Sequence, residues 1–545
     1  MSVEAARGSL DGVSRALAIC AALIGAWLYL GRIDGALLQR GNEAMYASPP
    51  IQMLTTGDWL VPRWENRSFL DKPPLTFWIV AAGYRALGVS VFSAKLPGAL
   101  AGLATALLLA SWVARRSGAR AGVLAGLILV FSFQFSMVSL TFSADAFLTL
   151  AVTLAVLACD TACRRANGPD ALLGIGAGAA LAAAFYAKGL VGVALALGAV
   201  AAGLLLDRGK PVRLVRRCAW GLGALVALVL PWHWALDRRL GEEFWRVFYW
   251  ENQFLRGATP KFMQMSRGPF FYLGVLAWGI FPWSFQLPTA LGRRQASRVF
   301  LGWFLLGLAF WSLLVMKREV YFVTVLPAVA ALVAEGLAEP SGFARTWRRP
   351  AWILAALVPC AALLVLARAF PRLAELAGSR VPVVLLVLGL AALAVALVAA
   401  SIGPENPRTP FAVLVACGLL MLCVQNVDIR LGRLDPLPGW GDRVRAECAG
   451  GCDGFLFGNN FNSIDFYSRF DWAMLPDPAR LPGELKHRKG FLVMWTSMEP
   501  HLSGVPLRWE VVDRRPALRG GLVATALGME GGGLDSLSLV RIEGP

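Results

Sequence analysis

The amino-acid sequence predicts an all-α polytopic membrane protein of about thirteen transmembrane helices, followed by a small soluble α/β domain. Three observations carry that expectation. The 545 residues are 57% hydrophobic and 16% charged, against roughly 25% charged in an ordinary soluble domain. The apolar residues gather in runs that reach the roughly 20 residues a helix needs to cross a bilayer core of about 30 Å. From residue 428 onward the composition changes to that of a water-soluble module.

The first run, 13–30, is followed by Arg32 with no small-residue cleavage site before it, so it is expected to be a retained first helix with residues 1–14 in the cytoplasm. A long outer loop, 31–93, comes next, and then spans at 96–113, 122–140 and 144–163. The runs 171–189 and 190–206 are joined by little more than Lys188-Gly189, as a tight outer hairpin or as a re-entrant pair. A second long outer loop, 237–269, leads to the eighth span, and 351–367 is a clear later one.

Arginine clusters set the expected orientation. Arg115-Arg116, Arg164-Arg165, 208–217, Arg293-Arg294 and 345–349 recur after every second span, the pattern of cytoplasmic loops. An odd number of spans then puts the C-terminal domain, 428–545, on the outer side of the membrane domain, 1–427. The net charge of +17 is distributed as topology determinants. It forms no basic stripe with interleaved aromatics, which excludes a nucleic-acid partner.

Within 428–545, the stretches 454–458, 490–495, 508–512 and 536–542 read as strands, and 464–469 as the start of a helix. Seven of the nine cysteines lie in or beside apolar runs, where they act as small hydrophobes. Cys448 and Cys452 stand four apart in polar sequence; the spacing allows a disulfide in an oxidising compartment and leaves the pairing open.

Polar groups of interest gather on the expected outer face. In the first loop, Tyr46, Pro50, Met53 and Leu54 have helical spacing, as in a short amphipathic helix on the membrane surface. Glu43 opens that helix, where a carboxylate favoured by the helix dipole competes evenly with a catalytic one. In Asp71-Lys72-Pro73-Pro74 the prolines stiffen the chain, and the lysine is either a fixed cation suited to phosphate or a snorkelling anchor.

Asp145 ends the loop before the fourth span, Lys188 lies at an outer turn, and Lys317-Arg318-Glu319 at another. Ionisable groups at membrane depth are costly and so are functional candidates. Tyr321 follows Lys317 by one helical turn and shares its face. The second loop carries Glu251, Asn252, Arg256, Lys261 and Arg267 among aromatics, which suits a sugar and a phosphate-bearing lipid as well as an interfacial belt. The three histidines, His233, His487 and His501, form neither a metal-site pattern nor a Ser–His–Asp arrangement.

Taken in order, the motifs Asn42-Glu43 with Tyr46-Ala47, Gly57-Asp58-Trp59, Asp71-Lys72-Pro73-Pro74, Asp145, Lys188-Gly189, Pro282-Trp283, and Lys317 with Tyr321 and Pro327 resemble a known pattern. It is that of the bacterial membrane glycosyltransferases related to the lipid A aminoarabinose transferases and protein O-mannosyltransferases, which share the GT-C fold. The resemblance covers 10–430, with a looser match to the family's small outer domain.

The resemblance implies inverting transfer of a sugar from a polyprenyl-phosphate donor to an envelope acceptor: lipid A, another glycolipid, a glycan or a protein. It implies a bacterial inner-membrane protein acting on the periplasmic side. Lys72, Arg256, Lys317, Tyr321 and Lys188 are the implied donor-phosphate and lipid residues. Glu43, Asp145 and Asn42 are the implied catalytic positions, and Tyr46, Asp58, Asp71, Glu251, Asn252 and Arg267 the implied loop and substrate contacts.

Two departures stand out. Asn42 occupies a position where the family commonly has Asp, so Glu43 or Asp145 is left to act as base. Asn252 aligns with a histidine at which the aminoarabinose transferases can bind a metal. A divalent metal is therefore left open without a histidine ligand to support it, and the sugar is not assigned. The competing expectations are a lipid-linked sugar transporter or flippase and an inactive polyprenyl-lipid-binding homologue.

Overall fold

The computed structural model describes residues 10–35, 42–64, 67–207, 214–255, 267–291, 297–339, 342–448, 451–458, 461, 463–469, 472–485, 489–519 and 533–543. Among these, ten helices are long and apolar enough to cross a membrane. The longest, Val91–Val130, is not one rod. Gly118 takes φ +88°, a backbone state open to glycine, and reverses the chain there. Beyond the turn, a Cβ on Gly122 would stand 2.5 Å from Ala110 O and one on Gly126 3.2 Å from Ala106 O. Small residues thus let the two arms lie against each other.

Arg298–Leu313 and Leu75–Leu87 are shorter apolar helices. Phe271–Gly279 and Leu287–Leu291 are separated by a 3₁₀ turn at Trp283–Gln286. The bundle closes around Glu319–Ala338, whose apolar window is 94% buried. Asp170–Lys188 and Leu190–Asp207 are two long apolar helices joined as a hairpin at Gly189. Arg217 Nε donates to Asp170 Oδ1 at 2.9 Å, and Arg164 pairs with Asp207, so ion pairs lock the far ends of this hairpin. At that end Arg408 also bonds Asp11, the cap of the first helix, at 2.8 Å.

In the first loop β1 (Arg63–Trp64) pairs with β2 (Arg67–Ser68). The C-terminal module is a five-stranded mixed sheet of β3 (Asp453–Phe457), β4 (Trp472–Leu475), β5 (Lys489–Trp495), β6 (Arg508–Arg519) and β7 (Gly533–Glu543), in the order β4-β3-β5-β7-β6. β3 runs parallel to β4 and β5. β7 is antiparallel to β5 and to β6. Alternate residues fill two cores, Leu456, Phe491 and Val493 on one face and Phe455, Leu492 and Met494 on the other. β6 and β7 are longer than the sequence reading, and β4 was not anticipated in it. Cys448 and Cys452 are joined by a disulfide.

The helix Ser463–Ser468 fastens this module to the first loop. Phe466 joins a cluster with Ala47, Tyr84, Phe142 and Phe147. Trp64 Nε1 donates to Asp465 Oδ2 at 3.3 Å, and Arg469 donates to Val89 O at 2.7 Å.

Candidate functional site

The first loop folds as two short helices, Asn42–Ala47 and Pro49–Thr56. The second ends at Gly57 in the left-handed region (φ +72°). The amphipathic helix expected on the membrane surface is instead packed into the protein: Ala47, Ile51 and Met53 are buried. Tyr46 sits among the rings of Phe69, Phe77 and Phe142.

Asp58, next in the chain, accepts both terminal nitrogens of Arg239 at 2.9 and 2.7 Å and is approached by the amides of Leu60 and Val61 at 3.2 and 3.3 Å. It pins the first loop to the end of the helix Leu214–Leu240. Trp78 Nε1 completes the fastening by donating to Trp59 O at 2.7 Å.

From there the chain runs to Asp71 and Lys72, which form an ion pair. Lys72 is only 6% exposed. Both line a cavity of about 330 Å³ together with Lys188, Asn252, Gln253 and Tyr321. Leu190, Val191, Ala194, Phe310, Trp311 and Leu314 supply its apolar wall. Cations and a hydrocarbon surface lining one cavity suit an amphiphile with a charged head.

Lys188 is held from two sides. Its ammonium pairs with Asp145 and stands 4.3 Å from the centroid of the Tyr321 ring. The ring itself stacks on Trp311, with centroids 5.0 Å apart. Asp145 begins the helix Ala144–Arg164, capped by Ser143: the hydroxyl accepts from Asp145 N at 3.1 Å and donates to Asp145 Oδ2 at 3.3 Å. Gly189 must be glycine on two counts. Its φ is +75°, and a Cβ there would stand 2.6 Å from Gln253 Oε1, which accepts the Leu190 amide at 3.1 Å.

The remaining sequence candidates lie elsewhere. Glu43 is buried, with Oε1 accepting from Phe142 N at 2.6 Å. The Lys317 ammonium, also buried, donates to Leu314 O at 2.5 Å beside the cavity wall. Glu251 pairs on the surface with Arg246 at 2.6 Å, and Arg267 is exposed. Arg256 and Lys261 lie outside the described residues, as does the side chain of Asn42.

The described start of the second loop, through residue 255, packs around His233. Its Nδ1 faces Val229 O at 2.8 Å and must donate there, which leaves Nε2 to accept from Tyr249 Oη. Burial pushes the Tyr249 hydroxyl up to about 12, so it keeps the proton it donates. Asn252 donates to Val247 O at 2.8 Å, and among the described residues no three His, Cys, Asp or Glu side chains gather as a metal site. The donor set does not fit a zinc ion held by histidine.

Sequence reasoning missed Lys95, Trp311 and Gln253. Trp311 reads as one more apolar residue of a span. Gln253 is signalled only by its place beside Asn252.

Residues 71–234 match the family described as dolichyl-phosphate-mannose-protein mannosyltransferase. The chain is 32% identical over 312 residues to the undecaprenyl phosphate-α-4-amino-4-deoxy-L-arabinose arabinosyl transferase of Pseudomonas aeruginosa (strain UCBPP-PA14), a match covering 55% of each chain. It is 29% identical over 322 residues to the protein of that name from Edwardsiella ictaluri, covering 56% of each. The chain thus spans about half the length of the curated relatives it matches.

The crystal structure of ArnT from Cupriavidus metallidurans bound to undecaprenyl phosphate superimposes with a TM-score of 0.79 at 19% identity, over 96% of this chain and 97% of that one. In fold the chain is a GT-C membrane protein, and in sequence it resembles the undecaprenyl-phosphate aminoarabinose transferases.

Proposed function

We propose that this chain is an inverting glycosyltransferase that moves a sugar from a polyprenyl-phosphate donor to a hydroxyl or phosphate of an envelope acceptor. The observation that carries the reading is the cavity that Lys72 and Lys188 line together with apolar side chains. The names of the relatives support the donor class, and the ArnT crystal structure was determined with undecaprenyl phosphate bound.

In the reaction, an acceptor oxygen attacks the anomeric carbon as the bond from that carbon to the donor phosphate breaks. The bonding electron pair leaves with the phosphate, and the two ammonium groups stabilise the charge that develops there. A hydroxyl acceptor gives its proton to a carboxylate. Asp145, reaching the cavity through Lys188, is the residue assigned that role. A phosphate acceptor is already anionic and needs no base. Arg256 and Lys317 are further candidates for the donor phosphate from the sequence resemblance.

The reading includes a topology of about thirteen spans, with the N-terminus in the cytoplasm and the sheet module of 428–545 in the periplasm. The Cys448–Cys452 disulfide supports an oxidising location for that module. The Arg408–Asp11 bond supports a common side for the start of the first helix and the 403–408 link.

The test compares envelope lipids and glycans by mass spectrometry in cells with and without the protein, and with Asp145→Asn restored in its place. The reading expects one sugar to vanish from one acceptor and to return with the wild type alone. Unchanged glycans would favour lipid transport. A wild type that binds polyprenyl lipid without turnover would favour an inactive homologue, the reading that Asn42 keeps in view.

A further inference from the structure

A second buried ion pair stands apart from the cavity. Glu43 and Lys95 are 4% and 2% exposed, with Lys95 Nζ 3.9 Å from Glu43 Oε1. An ammonium so deeply buried is tolerable only beside a compensating charge. The same carboxylate oxygen accepts the amide of Phe142 at 2.6 Å, a short charge-assisted bond. Phe142 is bonded to Ser143, the residue that caps the helix of Asp145 and hydrogen-bonds its carboxylate. A continuous set of contacts therefore runs from Lys95 through Glu43, the 142 peptide and Ser143 to Asp145, and from Asp145 to Lys188 at the cavity.

We infer that Glu43 and Lys95 are a positioning pair for Asp145, and that Glu43 is not the proton acceptor. Lys95 stands beside the Glu43 carboxylate. That carboxylate holds the 142 amide, and the 142 amide sets where the helix Ala144–Arg164 begins. Glu43 also lies in the first turn of Asn42–Ala47, so the pair ties the first loop to the fourth span. The inference rests on the transferase reading for its kinetic consequence but not for its structural one.

The two roles of Glu43 respond oppositely to a paired substitution. Glu43→Gln keeps an oxygen for the Phe142 amide but removes one of the charges that face Lys95, Asp428 being another, and Lys95→Met takes the cation from Glu43. The double variant Glu43→Gln/Lys95→Met removes both charges and keeps the acceptor oxygen. Sugar transfer by the full chain in lipid vesicles should fall about 100-fold in kcat for each single variant, as expected from a small misplacement of the reacting group. The KM for the polyprenyl-phosphate sugar should stay unchanged, and the double variant should recover to within about tenfold of wild type. A double variant as inactive as Glu43→Gln, with normal amide exchange in 141–149, would overturn the inference and make Glu43 the base.

Hydrogen exchange supplies an arm independent of turnover. Lys95→Met and Glu43→Ala should both speed exchange in 141–149, and unchanged exchange in both would overturn the positioning role. If the wild type transfers no sugar, the transferase reading fails while the exchange result still decides the pair.

Discussion

Lys188 stands over the ring of Tyr321, its ammonium 4.3 Å from the ring centroid, while its other side pairs with Asp145. A cation on an aromatic face needs no hydroxyl, so the two substitutions at 321 should differ. Tyr321→Phe should keep donor KM within about twofold, whereas Tyr321→Leu should raise it about fivefold, in line with roughly 1 kcal/mol for a partly desolvated cation–π contact. Titrating initial rates with donor lipid separates them. Equal losses in both variants would mean that the hydroxyl, not the ring, carries the contribution.

Lys188→Met should do more harm than Tyr321→Leu, because it leaves the Asp145 carboxylate buried without its ammonium. Breaking such a pair costs about 3–5 kcal/mol. The expected readouts are a lower melting temperature in detergent and loss of transfer. Asp145→Asn/Lys188→Met should regain melting temperature but not activity.

Gly189→Ala combines a positive φ with a Cβ placed 2.6 Å from Gln253 Oε1. The expected loss is about 2–3 kcal/mol, read as a drop in detergent melting temperature. Gln253→Ala in the same chain should relieve the steric part and leave the backbone part.

The Asp58–Arg239 pair is 11% and 46% exposed by side chain, so solvent screens it and its coupling should be modest, about 0.5–1 kcal/mol in a double-mutant cycle. Asp58→Ala should cost more than Arg239→Ala, because it also strips an acceptor from the Leu60 and Val61 amides.

In the sheet module, hydrogen bonds from Arg514 hold the Glu499 carboxyl below its usual value. A depressed acid stabilises the folded state fully above its unfolded pKa, about 4.3 for Glu, and loses that contribution as pH falls through its lower folded value. Arg514→Gln should therefore melt earlier than wild type at pH 7, with the gap closing below about pH 4. A gap that persists at low pH would assign the effect to packing.

These contacts also show where sequence reading stops. The length and composition of apolar runs are local properties, so the spans and the Lys188-Gly189 hairpin joint could be read directly. The break at Gly118 leaves two apolar arms on either side of a polar stretch, a pattern visible in the chain. The partners of Glu43 were not legible: Lys95 and Phe142 lie far along the sequence, and packing alone brings them together. The same holds for Asp58, read as a substrate contact and found bonded to an arginine 181 positions away. β4 is only four residues long at a sheet edge, too short for a periodic signal.

The central claim is that Lys72 and Lys188 receive the phosphate of a polyprenyl-linked sugar while Asp145 serves the acceptor. Its most direct test is single-turnover transfer from a labelled polyprenyl-phosphate sugar by purified protein in vesicles, comparing wild type with Lys72→Ala and Asp145→Asn. The wild type should transfer the sugar, with chemistry at least about 100-fold slower in both variants. Undiminished transfer by Lys72→Ala would remove that cation from the mechanism.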